Sequence, residues 1–184
     1  MVYPIYIYGT SVLRKRAKEI KPDYPGLSQI ISNMFETMKV SDGIGLAAPQ
    51  VGLSIRLIVI DTSEMEDEED KTLQDFRRVL INPLILWETG DKWSFNEGCL
   101  SLPNIREDVE RHSKIRIQYY DQNFIFHDEE YDGVKARIMQ HEYDHLEGIL
   151  FVDRINPIRK RLLNGRLQAL AKGNSSAHYK TITA

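Results

Sequence analysis

Cysteine occurs once in the 184 residues, at Cys99, so no internal disulfide can brace the fold. That thiol is a buried apolar residue, a reactive group or a metal ligand, and composition alone leaves the three open. Long apolar runs are also missing. Stretches such as residues 57–60 and 84–87 fall far short of the roughly 20 residues needed to cross a bilayer. The N-terminal residues lack the basic segment and long apolar core of a secretory signal, which points to a cytoplasmic protein without a membrane partner. Excess charge of one sign is absent too: the net charge of −3 argues against a general nucleic-acid-binding surface, although a local basic patch is compatible with it.

What is present suits one ordinary domain. With 42% hydrophobic and 28% charged residues, the chain can bury a conventional core without staples. There is no internal repeat and no linker, so residues 1–172 read as a single domain and residues 173–184, small and polar, as a frayed tail. Leu27, Ile30, Ile31, Met34, Phe35 and Met38 recur at helical spacing and predict a helix over residues 24–39. Strands are predicted at 56–61, 79–87 and 114–120, the last from strict alternation of apolar and polar side chains, with a return strand at 124–127. The acidic run at 64–70 reads as a solvated loop. Asp132 is placed to cap a second helix that ends before Gly148. Pro157 opens a third, basic helix reaching about Lys172, with Leu162, Leu163, Leu167 and Leu170 on its apolar side. The fold class is therefore α+β, with antiparallel sheets around a central helix and further helices near each end.

That central helix carries His141-Glu142-Tyr143-Asp144-His145, a His-Glu-x-x-His pattern. At about 3.6 residues per turn, His141 and His145 share one face and can offer two imidazoles to one ion. Glu142 lies about 100° round the helix, where its carboxylate can reach a water on that ion without being a ligand. Val134 and Ile138 continue the stripe of the two histidines inward. A hydrolytic site needs a third protein ligand and an open position. Cys99, within Glu97-Gly98-Cys99-Leu100-Ser101, is the best candidate for that ligand, with a buried thiol as the alternative.

Gly43-Ile44-Gly45-Leu46-Ala47-Ala48-Pro49-Gln50, Glu97-Gly98-Cys99-Leu100-Ser101 and Gln140-His141-Glu142-Tyr143-Asp144-His145 together resemble, in order and spacing, the three signature segments of the peptide deformylases. The likeness runs from the Tyr8-Gly9 region to about Asp153 and is closest to the bacterial type with a C-terminal helix. Asn104 departs from the pattern, standing where glycine is frequent. The resemblance implies a metal-dependent hydrolase that removes formyl from the N-terminal methionine of nascent polypeptides. It implies Cys99, His141 and His145 as ligands, Glu142 as general acid and base, and Gln50 with the Leu100 N–H as oxyanion donors. Iron(II) is the ion implied, with zinc, nickel or cobalt as others that a Cys/His/His set accepts.

An apolar pocket for methionine is expected from Ile44, Val134 and Ile138, each of which could instead be plain core, while Gly45 leaves its backbone free to pair with an extended peptide. Arg106 and Asp144 could support the ligands or form surface ion pairs. The resemblance also implies ribosome engagement through the C-terminal helix, whose Lys and Arg side chains equally suit a solvated face. Two rival readings are a zinc endopeptidase, which would take its third ligand downstream of the helix, and a non-catalytic metal-stabilised module, which would need a fourth protein ligand.

Overall fold

The computed structural model describes residues 1–63, 65 and 73–183. Apart from Met65, the acidic segment 64–70 lies outside the described residues. In chain order the elements are β1 (Ile5–Tyr6), α1 (Leu27–Val40), β2 (Gly45–Ala47), β3 (Leu57–Asp61), β4 (Arg77–Cys99), β5 (Leu102–Tyr120), β6 (Phe126–Asp132), α2 (Gly133–Leu146), α3 (Pro157–Ala171) and β7 (Thr181–Ile182). Strands β2-β3-β4-β5-β6 form one antiparallel sheet, which makes the fold α+β as expected.

The apolar run of β3 has a direct cause. Leu57 and Val59 face α1, packing with Ile31, Met34 and Met38, whereas Ile58 and Ile60 face α2, packing with Ala136, Ile138 and Met139. A strand covered on both faces cannot alternate apolar with polar residues, so its sequence reads as one short apolar block. Each large side chain buried in these layers contributes about 2 kcal/mol. Along β5 every second residue from Ile105 to Tyr119 is buried except the half-buried Ser113: Ile105, Glu107, Val109, Arg111, Ile115, Ile117 and Tyr119. That period places two charged side chains, Glu107 and Arg111, on the inward face.

Several expectations need correction. The predicted strands at 79–87 and 114–120 are only the inner halves of a long β4–β5 hairpin turning at Leu100 and Ser101, with register shifts along it. In the half nearer the turn the β4 arm is largely solvated, and two of the buried positions on the β5 arm are the charged Glu107 and Arg111, so the apolar periodicity fades there although pairing continues. Asp132 sits at the N-cap of α2, but its side chain makes no capping hydrogen bond. Gly148, at φ +74° beyond the end of α2, does suit the left-handed turn that follows a helix. In α3, Leu163, Leu167 and Leu170 are buried against Leu13, Leu102 and Phe151, whereas Leu162 is exposed.

The end of the chain differs most. In place of a frayed tail, β7 pairs in parallel with β1, so the second, two-stranded sheet is not antiparallel. The Ile5 and Ile7 amides donate to the Lys180 and Ile182 carbonyls at 2.9 and 3.0 Å. Backbone pairing of this kind needs no apolar pattern, which is why small polar residues gave no sign of it.

Candidate metal centre and catalytic cleft

Three elements converge on one cleft. Helix α2 supplies His141, Glu142 and His145, the end of β4 supplies Cys99, and β2 with the short turn after it supplies Gly45 and Gln50. One ligand atom from each of Cys99, His141 and His145 lies within 4.8 Å of the others. Cys99 Sγ is 3.2 Å from His145 Nε2, and the two imidazoles meet edge to face with centroids 5.2 Å apart. These separations are close to the span of two metal–ligand bonds of about 2.0–2.3 Å. The cluster contains no fourth protein donor among the described residues, so an ion held there keeps a position for water.

Glu97 orients His141, a role the sequence reading did not give it. Its carboxylate receives His141 Nδ1 at 2.9 Å, Arg111 at 2.7 and 3.0 Å, and Arg137 at 2.9 Å. Burial alone would raise the Glu97 pKa, but hydrogen bonds from His141 and Arg111 outweigh it and hold the group well below the usual carboxylate range. With Nδ1 turned to a carboxylate, His141 presents Nε2 to the cleft. Glu97 and Cys99 stand two apart on one strand, and this period-2 relation could have suggested their common face.

The proposed supporting roles of Arg106 and Asp144 are not found. Arg106 bonds Asn96 in the outer hairpin, and Asp144 receives Arg111 and Arg154 rather than a ligand imidazole. Asp144 therefore acts one step further out, through Arg111. Among the buried side-chain atoms, His145 Nδ1 and Glu142 Oε2 have no hydrogen-bond partner. Burial pushes the Glu142 carboxyl up to about 7. A carboxylate in this condition, beside three atoms that could ligate an ion, is suited to exchange protons near neutral pH.

Gln50 is fully buried. Its Oε1 accepts the Ala47 N–H at 2.8 Å, which turns Nε2 toward Ser101 Oγ at 3.3 Å and Cys99 Sγ at 3.5 Å. Leu100, in the hairpin turn, borders the same cleft. On β2, the Asp61 N–H donates to the Ile44 carbonyl, which turns Ile44 and Leu46 toward β3. By the alternation of an antiparallel ladder, the Gly45 N–H and C=O then face the open edge. Glycine is required there for a second reason: a Cβ at this position would lie 2.5 Å from Glu142 Oε1.

The cleft has a cavity volume of about 540 Å³. Ile44 and Ile138 line it, whereas Val134 does not and instead packs against the α2 side of the core. Another cavity of equal volume, between α1 and the β5–β6 ribbon, contains none of these residues. Asn104 adopts φ +61°, a conformation that glycine adopts freely and asparagine tolerates, so its departure from the glycine pattern leaves the backbone path intact.

A family profile described as Polypeptide deformylase matches residues 2–161. The peptide deformylase of Christiangramia forsetii is 49% identical over 186 aligned residues, covering 98% of this chain and 95% of that protein. A crystal structure of the Thermotoga maritima peptide deformylase is 41% identical with a TM-score of 0.76, covering 85% of this chain and 99% of that one. The Synechococcus elongatus peptide deformylase, solved in complex with actinonin, is also 41% identical, with a TM-score of 0.79 and coverage of 98% and 92%.

Proposed function

The chain belongs to the polypeptide deformylase family, and from that premise we propose that Cys99, His141 and His145 hold its ion while Glu142 moves the protons of the reaction. The enzyme is a metal-dependent hydrolase that removes the formyl group from the N-terminal methionine of nascent polypeptides. The observation that carries the assignment of roles is the meeting of one thiol and two imidazoles beside a buried glutamate oxygen that has no partner.

Cys99, His141 and His145 would hold a divalent ion, which when bound would supply acidified water and polarisation of the formyl carbonyl. Glu142 accepts the proton of the attacking water and later delivers it to the departing amine, so formate and a free α-amino group leave. Gln50 Nε2 and the Leu100 N–H meet the carbonyl oxygen as negative charge develops, each donor lowering the barrier by about 3 kcal/mol. The Gly45 backbone holds the peptide as an added strand, and Ile44 with Ile138 receives the methionine side chain. Val134 has no part in that pocket.

The upstream position of the third ligand separates this arrangement from that of a zinc endopeptidase. We infer iron(II) as the native ion, from the family and from a mixed thiolate and imidazole set that also accepts zinc, nickel or cobalt. Protein purified without oxygen should contain about one ion per chain and deformylate formyl-Met-Ala-Ser while leaving the unformylated peptide uncut. Iron is refuted if another ion supports equal activity and iron is absent. Cys99→Ser should lower the bound ion and the activity together, and full metal content with full activity in that variant would remove Cys99 from the ligand set.

We propose that the enzyme works in the cytoplasm, where nascent chains emerge. No described helix is long and apolar enough to cross a membrane. We propose that α3 engages the ribosome through only part of its surface. Arg159, Lys160 and Arg166 are engaged with Glu107, Asp153 and the Asn104 carbonyl. Arg161, exposed beside Ile158 and Leu162, is the residue to test, by co-sedimentation of Arg161→Glu with ribosomes.

A further inference from the structure

The last stretch of the chain returns to the catalytic cleft. After α3 it crosses the open side, so that Ser176, Ala177, His178 and Tyr179 border the same cavity as Cys99, His141 and Glu142. It is fastened to both banks. On one bank the Tyr179 hydroxyl donates to the Leu100 carbonyl at 2.8 Å, and Asn104 Nδ2 donates to Ser176 Oγ at 2.8 Å. On the other, His178 Nε2 lies 3.3 Å from Asp42 Oδ2. Beyond the cleft, β7 anchors the segment through its pairing with β1. The Asn104 tie needs a side-chain amide, so glycine at that position could not make it.

The direction of the substrate follows from β2. A peptide on the Gly45 edge begins beside Glu142, since that carboxylate stands against Gly45. Toward Ala47 the way is closed, because the Ala47 N–H is taken by Gln50, itself fully buried. The remaining path runs from Gly45 through Ile44 and Gly43 to Asp42, a span of about 10 Å at roughly 3.3 Å per residue. Residues two and three places beyond methionine therefore arrive where His178 faces Asp42.

We propose that residues 176–179 form the outer wall of the substrate cleft and determine how the enzyme treats the peptide downstream of formyl-methionine. This rests on the deformylase reading and adds a specificity element that the signature segments do not contain. The ligand class is an extended peptide backbone with its second and third residues after methionine. It is held between the edge at residues 42–45 and the terminal segment. Tyr179 has a further positioning role, since its hydroxyl fixes the peptide unit next to the one carrying the Leu100 N–H.

The test compares kcat/KM for formyl-Met-Ala and formyl-Met-Ala-Ser-Ala, both on the metal-loaded enzyme. The readout is the ratio of the longer to the shorter peptide, so each variant's turnover of the dipeptide is its own folding control. Ala177→Trp narrows the wall and should lower the ratio about tenfold, mainly through KM for the longer peptide, the loss expected for one hydrogen bond with its contacts. His178→Ala, a change at an exposed side chain that remains usable if the larger substitution prevents folding, should lower the ratio about threefold. A ratio unchanged in His178→Ala and in any folded Ala177→Trp protein overturns the proposal. Wild-type protein inert toward formyl-Met-Ala would instead overturn the deformylase reading beneath it.

Discussion

The two walls of the cleft are built by opposite means. The inner wall, formed by α2 and the β4–β5 hairpin, is organised by charges almost wholly out of water: the side chains of Arg111, Glu97 and Asp144 are only 2, 4 and 4% exposed. Each of these groups has two or more charged or polar partners, as buried charges require. The outer wall, residues 176–179, is held by single contacts, one of them the His178–Asp42 approach whose members are 60 and 83% exposed. Groups near the reacting atoms must stay within fractions of an ångström, and these mutually constraining buried pairs fix His141 and the helix that carries Glu142. A surface that only borders a peptide can be held by contacts worth less than about 1 kcal/mol each.

This contrast can be broken by experiment. The largest effect is expected from Glu142→Ala, which leaves the wall intact and removes its proton carrier. kcat should fall by about 10²–10⁴-fold with metal content unchanged, as read by steady-state assay and elemental analysis. Near-normal turnover would show that the inner wall's chemistry lies elsewhere. Next is Glu97→Gln, which removes the charge that Arg111 and Arg137 face. It should weaken metal affinity about 10–100-fold and cost about 3–5 kcal/mol in unfolding free energy. Competition with a chelator and urea denaturation measure the two losses, and a fully stable variant would mean that the buried network does not brace the site.

The smallest effect concerns the helix that leads into the outer wall. Asp153 joins Lys160 of α3 to Arg14. Burial would raise its pKa, but Arg14, Lys160 and the Leu150 N–H together lower it to about 2. Because the folded value lies below the unfolded value of about 3.9, the stabilisation is complete above that point and is lost as pH falls toward 2. Wild type should exceed Asp153→Asn by about 1 kcal/mol at pH 6 and match it near pH 2, by urea unfolding at each pH. A difference constant with pH would detach Asp153 from this linkage.

Much of the inner wall was legible in the sequence, and almost none of the outer. His141, Glu142 and His145 are local to one helix, so spacing alone revealed them. Cys99 stood out because soft ligands are scarce here. Gln50 and Leu100 were reached through resemblance only, since their roles depend on a side-chain turn and a backbone amide that no periodicity records. The ties of Glu97 to Arg111 and Arg137 span 14 and 40 residues, and pairing over such distances leaves no local pattern. Val134 followed the helical stripe correctly, but the stripe turns from cleft to core one turn before Ile138. The terminal segment has the composition of a loose end, and only its meeting with β1 and the cleft gives it a structure.

Gly45 brings the two sides of the chemistry to a common gauge. Its missing side chain lets Glu142 rest against the strand edge proposed to receive the peptide, at a distance a single methyl group would close. The offset between substrate and base is thus set by covalent backbone on one side and direct contact on the other, with no flexible spacer between them. Alignment error along the peptide is therefore limited to whole steps of the strand register. In the proposed binding mode a peptide is seated with its carbonyl in line, or it is displaced by a step of the register and does not react.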